Sequence, residues 1–341
     1  MKWLITGGAG FIGSNLAQRL LSDGHEVTIL DNLSRRGAHL NLSWLQATHG
    51  HNLRFVNGDV RRSDLLPDLI RGVDAVFHLA AQVAVTTSVV QPREDLEINL
   101  LGTFNVLEAI RALPEDRRPM LFYTSTNKVY GRMEEIAVVA QGTRYAYATQ
   151  VVGVSEAQPL DFHSPYGCSK GAAEQYVLDY TRIYGLRTVV FRASCIYGWR
   201  QFGSEDQGWV AHFLISALRN TPVTIYGDGK QVRDILFIDD LLDAFILAAD
   251  RIEEVQGEAF NVGGGPANTV SLLELLEWLD ERCNPPVPRS FSDWRPGDQQ
   301  IYISDIRKLK GKLDWSPRIC IEEGLSHLWT WLTSHRELFS E

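Results

Sequence analysis

Cysteine is scarce: Cys168, Cys195, Cys283 and Cys320 are the four among 341 residues. They lie far apart and form no C-x-x-C pair. That spacing excludes a disulfide framework or a zinc knuckle and leaves reduced thiols of a cytoplasmic protein. Nine histidines supply no H-x-x-x-H or H-E-x-x-H spacing, so no metal is expected. No apolar run approaches the roughly 18 residues of a membrane-spanning helix. The opening Met1-Lys2-Trp3-Leu4-Ile5-Thr6 meets glycines before a signal peptide's apolar stretch could form. Basic side chains are also in deficit, 33 against 42 acidic ones, for a net charge of −9. Such a surface is unsuited to nucleic acid or an anionic membrane. One or two local arginines would still suffice for a small phosphorylated ligand.

What is present is ordinary for a globular protein, 45% hydrophobic and 22% charged. The length suggests about two domains. Apolar runs at 2–6, 26–30, 53–56, 75–79, 120–124 and 187–191 predict strands buried on both faces. Helical patterns at 11–22, 62–71, 94–112 and 165–184 alternate with them. This order predicts an α/β fold with a Rossmann-type doubly wound parallel sheet. Regularity fails past Tyr197, with helices expected over 208–220, 239–249 and 271–282. We expect residues 1–190 to form the dinucleotide-binding domain, with 235–256 returning to it. Residues 191–341 would form mainly a smaller, interleaved substrate-binding lobe.

Between the first strand and first helix stands Thr6-Gly7-Gly8-Ala9-Gly10-Phe11-Ile12-Gly13. Gly7, Gly10 and Gly13 make G-x-x-G-x-x-G, which suits either a bare turn or backbone N–H groups closing on a pyrophosphate. Asp31, ending the second strand, favours the latter, because its carboxylate can accept from the ribose hydroxyls of an adenosine. It would also repel a 2′-phosphate, so NAD is expected over NADP; Arg35 and Arg36 keep NADP as a minority reading. Asp59 follows the third strand, where the adenine would lie. His78-Leu79-Ala80-Ala81 ends the fourth, where a nicotinamide cofactor would cross the sheet.

A tyrosine four residues before a lysine puts both on one helix face, where the ammonium can lower the phenol's pKa. Tyr226…Lys230 has this spacing, but Gly227 and Gly229 make it a turn. Tyr166…Lys170 follows Ser164-Pro165, a plausible N-cap and first helical residue. A hydroxyl at the end of the fifth strand should complete the set. Thr126 is our assignment as polar anchor, with Tyr166 as acid/base and Lys170 as its electrostatic partner; Ser125 is the competitor.

These elements together resemble the extended short-chain dehydrogenase/reductase family, and within it the enzymes that modify nucleotide sugars. Val232-Arg233-Asp234 and Arg295-Pro296-Gly297-Asp298 extend the likeness over nearly the whole chain. The resemblance implies that Arg233 and Arg295 bind the substrate diphosphate, as guanidinium forks suit phosphate oxygens. It implies further cofactor contacts at Gly7, Gly10, Phe11, Ile12, Asn32, Ser34, Arg35, Val60, Leu79, Ala80, Ala81, Gln82, Asn99 and Thr124. Substrate contacts are implied at Ser125, Asn127, Ser194, Gln201, Gln207, Tyr226, Gln231 and Asp298.

The 4,6-dehydratases of that family carry Asp-Glu after the matching threonine, whereas Asn127 cannot donate a carboxylic proton and Lys128 reverses the charge. Epimerase chemistry is therefore expected. The string Ser125-Thr126-Asn127-Lys128-Val129-Tyr130-Gly131, together with Arg200-Gln201-Phe202-Gly203 and Asp206-Gln207-Gly208-Trp209, is similar to members inverting C2 of CDP-linked hexoses. Ser194-Cys195 stands where C4-epimerases usually place an asparagine. The resemblance implies a homo-oligomeric NAD-dependent isomerase acting on a CDP-sugar such as CDP-paratose or CDP-glucose. The alternatives are a C4-epimerase or reductase of a UDP- or GDP-linked sugar, and a non-catalytic NAD-binding protein.

Overall fold

Five strands open the chain: β1 (Lys2–Thr6), β2 (Glu26–Asp31), β3 (Leu53–Asn57), β4 (Ala75–His78) and β5 (Met120–Thr126). Joining them are α1 (Phe11–Ser22), α2 (Ala38–His49), α3 (Leu66–Ile70), α4 (Val85–Val90), α5 (Pro92–Leu96) and α6 (Gly102–Arg111). A hairpin of β6 (Val138–Gln141) and β7 (Arg144–Tyr147) precedes the long α7 (Ser164–Tyr184). Then come β8 (Thr188–Ala193), β9 (Cys195–Tyr197), α8 (Trp209–Arg219), β10 (Val223–Tyr226), β11 (Val232–Phe237), α9 (Ile238–Asp250), α10 (Ile252–Val255) and β12 (Glu258–Val262). The computed structural model describes residues 1–295 and 298–339, so Pro296 and Gly297 of the second arginine motif lie outside the described residues.

Seven strands form one parallel sheet in the order β12-β8-β5-β4-β1-β2-β3. Alternate side chains explain its two cores. Trp3, Ile5, Phe77, Phe122 and Phe191 point to one face, against α1 and α9. Leu4, Val76, Leu121 and Val190 point to the other, against α3, α6 and α7. Phe77 stacks on Phe122 at 4.7 Å and on Phe245 of α9 at 5.1 Å. Each such ring contributes about 1.5–3 kcal/mol by leaving water. Thus α9, within the 235–256 stretch, covers the sheet, and the strand that re-enters it is β12, just beyond.

The helix expected over 94–112 forms, running unbroken from Pro92 to Arg111 through a π turn at Glu97–Leu101 that joins α5 to α6. Three other local readings differ from the structure. Asp95 and Asn99, four residues apart on one face of this helix, are both buried. Of 62–71, Leu66–Ile70 alone is helical, with Pro67 in its first turn, the position proline tolerates. Helix α2 went unread because its apolar face is interrupted by Asn41, which is buried and donates to the Ala9 and Arg200 carbonyls. Strand β5 runs on to Thr126 because Ser125 and Thr126 keep pairing with β8.

Candidate active site

The cleft lies at the carboxyl ends of β1, β2, β4 and β5, a volume of roughly 540 Å³. Its floor is the glycine loop. Gly7 has φ +70°, and a Cβ there would stand 2.7 Å from the Ala80 nitrogen. A Cβ on Gly13 would come 2.4 Å from the Gly7 carbonyl oxygen. Gly10 caps α1 without a side chain, so the opening N–H groups of the helix face the cleft uncapped. Asp31 holds the loop in place, accepting from Ala9 N–H at 2.9 Å and Leu33 N–H at 2.8 Å. Burial raises its pKa, against those backbone bonds. Asp59 is bound by Arg61 and Asn32, and the Arg61 bond is the main cause that brings its pKa down to about 2. An uncapped helix start, a loop that excludes Cβ atoms and a carboxylate at the β2 end fit a dinucleotide.

Tyr166 and Lys170 project from the first turns of α7, and both are buried. Ser164 has φ +64° and accepts the Gly167 N–H at 3.2 Å, so its hydroxyl caps the helix that presents them. Thr126 ends β5 and accepts the Lys128 N–H at 3.2 Å. Burial pushes the Tyr166 phenol up to about 12, opposed by the Thr126 hydroxyl beside it. Burial also brings the Lys170 ammonium down to about 7, opposed by Glu174 and Asp95. Ser125 presents a buried hydroxyl with no partner among the described residues, aimed at the same cleft.

Outside the residues that line this cleft, a second polar cluster comes mainly from the second half of the chain. Arg233 donates to Asp298 at 2.7 Å, and the Lys128 ammonium lies 3.7 Å from the same carboxylate. Arg295 lies over the Tyr226 ring at 3.9 Å, donates to the Glu205 carbonyl at 3.1 Å and pairs with Asp206 at 3.5 Å. Gln231 donates to the Tyr226 carbonyl. Across the cleft, Arg35 donates to Gln207. The turn at 204–207 is therefore held by one guanidinium from each half.

Of the residues singled out from sequence, Gly7, Gly10, Phe11, Ile12, Asp31, Asn32, Ser34, Arg35, Asp59, Val60, Leu79, Ala80, Ala81, Thr124, Ser125, Thr126, Tyr166, Lys170, Ser194, Gln201 and Gln207 line this one cleft. Gln82 and Asn99 sit behind its wall, bonded to each other at 2.9 and 3.0 Å. Asn127 is buried beside Thr126 and accepts from its hydroxyl at 3.3 Å. Tyr226, Gln231, Arg233, Arg295 and Asp298 gather in the second cluster. Ser194 is turned toward Asp234, donating to its carbonyl at 3.0 Å, and Gln201 donates to the Ile196 carbonyl at 3.2 Å.

Asp95 and Glu174 escape the sequence reading, and His78 enters it only as a residue ending the fourth strand. His78 is buried between the Thr6 and Thr103 hydroxyls at 2.7 and 2.9 Å, and burial pushes it down to about 3, so it is neutral. Asp95 accepts from Gln82 at 3.0 Å and Asn99 at 3.1 Å, and from Ser169, the neighbour of Lys170. Glu174 pairs with Arg192 behind Lys170. The spacing of Tyr166, Lys170 and Glu174, at i, i+4 and i+8, was the available signal for the last.

A family model described as the NAD dependent epimerase/dehydratase family matches residues 3–263. The chain is 46% identical over 341 residues to the CDP-paratose 2-epimerase of Salmonella typhi, covering 98% of this chain and all of that one. Among solved structures, Pal from Bacillus thuringiensis superposes with a TM-score of 0.85 at 33% identity, covering 98% of this chain and 99% of that chain. UDP-glucuronic acid 4-epimerase from Bacillus cereus, in complex with UDP-glucuronic acid and NAD, superposes at 0.83 with 29% identity over 98% and 99% of the two chains. Cleft, glycine loop and family model agree: the chain belongs to the NAD dependent epimerase/dehydratase family.

Proposed function

We propose that this chain is an NAD-dependent isomerase that inverts C2 of a CDP-linked hexose, with CDP-paratose and CDP-glucose as the substrates to try first. The observation carrying the C2 assignment is the full-length likeness to the CDP-paratose 2-epimerase of Salmonella typhi. The geometry beside Thr126 supports redox without elimination, since Asn127 is an amide and the Lys128 ammonium faces Asp298.

Bound NAD supplies the hydride acceptor and donor. The Tyr166 oxygen takes the proton of the C2 hydroxyl, and the Thr126 hydroxyl, with Ser125 beside it, holds the same sugar oxygen. A phenol raised by burial needs a cation nearby to ionise, and Lys170 provides it. Arg233 and Arg295 hold the diphosphate while the 2-keto sugar turns over between them and Tyr166. Re-protonation by Tyr166 then accompanies reduction from the opposite sugar face.

The test is incubation with CDP-paratose or CDP-glucose in D2O, without added NAD, with products resolved by NMR. We expect inversion at C2 with essentially no deuterium on that carbon. Heavy incorporation there would sink the hydride-return mechanism, and turnover of UDP- or GDP-sugars instead would move the assignment to another nucleotide.

Leu101 of the π turn, Phe104 of α6 and Tyr176, Ile183 and Tyr184 of α7 are exposed apolar residues, which we assign to contact with a second copy of the chain. Sedimentation should then give a multiple of the 38.4 kDa chain mass; a monomer at micromolar concentration would refute it. Among the described residues no helix is long and apolar enough to cross a membrane. Four free thiols accord with a reducing cytoplasm.

A further inference from the structure

The group directly beneath the Lys170 ammonium is aromatic. Its Nζ lies 4.1 Å from the centroid of the Tyr123 ring. The hydroxyl at the far end of that side chain donates to the Lys170 carbonyl at 3.3 Å. Tyr123 stands on β5 three residues before Thr126, is 1% exposed, and has its ring against His78 at 5.9 Å. Among the described residues the ammonium makes neither a hydrogen bond nor an ion pair.

We propose that Tyr123 is a positioning residue for the redox step, its ring seating the Lys170 ammonium by a cation–π contact. This rests on the reading of Lys170 as the partner of Tyr166. The physical advantage over an acidic seat is specific. A carboxylate at that distance would pair with the ammonium and occupy its donors. A ring face attracts the cation without accepting those hydrogens, leaving them for the cleft. Burial pushes the Tyr123 phenol far above its ordinary value, so it stays neutral and remains a donor.

The groups facing Lys170 come from four elements: Tyr166 and Glu174 on its own helix, Asp95 from α5, His78 from β4, and Tyr123 from β5. Glu174 and Asp95 favour the ammonium, with Glu174 itself bound to Arg192 on β8. His78 stays uncharged in the neutral range. The ring is thus the contact that can be weakened without altering any formal charge.

Tyr123 should be replaced by Phe and then by 4-fluoro-, 3,5-difluoro- and 3,4,5-trifluorophenylalanine. These keep the shape of the ring while draining its face of electron density. The ammonium is lost as pH rises through its pKa, and weakening the seat lowers that pKa, so the alkaline limb of kcat must move to lower pH. We expect Tyr123→Phe to keep the limb within about 0.3 pH unit, and the trifluoro variant to move it by about one, with kcat at pH 8 reduced about tenfold and KM within about twofold. A limb insensitive to fluorination, or one displaced as far in Tyr123→Phe as in the trifluoro variant, would overturn the ring contact. Lys170→Met separates the two readings. If it retains turnover, the role of Lys170 itself fails; if it is inactive while fluorination does nothing, the ring contact alone is refuted.

Discussion

Tyr166→Phe is expected to lower kcat about a thousandfold, close to 4 kcal/mol of barrier, while dinucleotide binding and the fold persist. The substitution removes one oxygen from a buried ring and nothing else. Thr126, Lys170 and the glycine loop keep their own supports, in the Lys128 N–H, the Tyr123 contacts and the Asp31 carboxylate. What is lost is the atom that exchanges a proton with the sugar. Steady-state kinetics, together with titration of the dinucleotide by fluorescence, checks both halves. Turnover near wild type would remove Tyr166 from the acid/base role, and loss of dinucleotide binding would show that the phenol serves structure instead.

Arg192→Met should be the most damaging single change to stability among these buried groups, at about 3–5 kcal/mol. Glu174 is 0% exposed and Arg192 5%. The guanidinium donates through Nε to Glu174 at 3.0 Å and through a terminal nitrogen to the Tyr130 hydroxyl at 2.9 Å. Tyr130 in turn donates to Asn261 on β12 at 2.7 Å. Truncating the cation strands a carboxylate with no water to receive it. The double variant Arg192→Met/Glu174→Leu removes both charges and should recover most of the loss in urea denaturation. Its turnover should remain depressed, because Glu174 is the largest influence favouring the charged form of Lys170. A double variant as unstable as the single would mean that the bonds to Tyr130, and not the stranded charge, set the cost.

The features legible in sequence were local ones. A glycine loop, an acid ending the next strand and a tyrosine one helical turn before a lysine each declare themselves within a few residues. Asp95 did not, because it reads as an ordinary surface acid until Gln82, Asn99 and Ser169 gather around it. Tyr123 looked like one more aromatic in a buried strand. Lys128 is visible in the sequence as a charge, yet its partner Asp298 arrives from the far end of the chain. Helix α2 was hidden by Asn41, whose polarity serves a hydrogen bond to the Arg200 carbonyl across the fold. In each case the missing information was a distant neighbour, which no window of sequence contains.

The position of β12 at the edge of the sheet bears on how the molecule comes to be made. Its partner β8 ends at Ala193, yet the register Glu258↔Val189 to Val262↔Ala193 cannot close until residue 262 has left the ribosome. Until then the nascent sheet presents a bare strand edge, and Phe77 waits for Phe245 to cover it. A fragment released after β8 would keep both defects and would be prone to aggregate. The parallel sheet therefore closes only after residue 262 is made, although six of its seven strands precede residue 194.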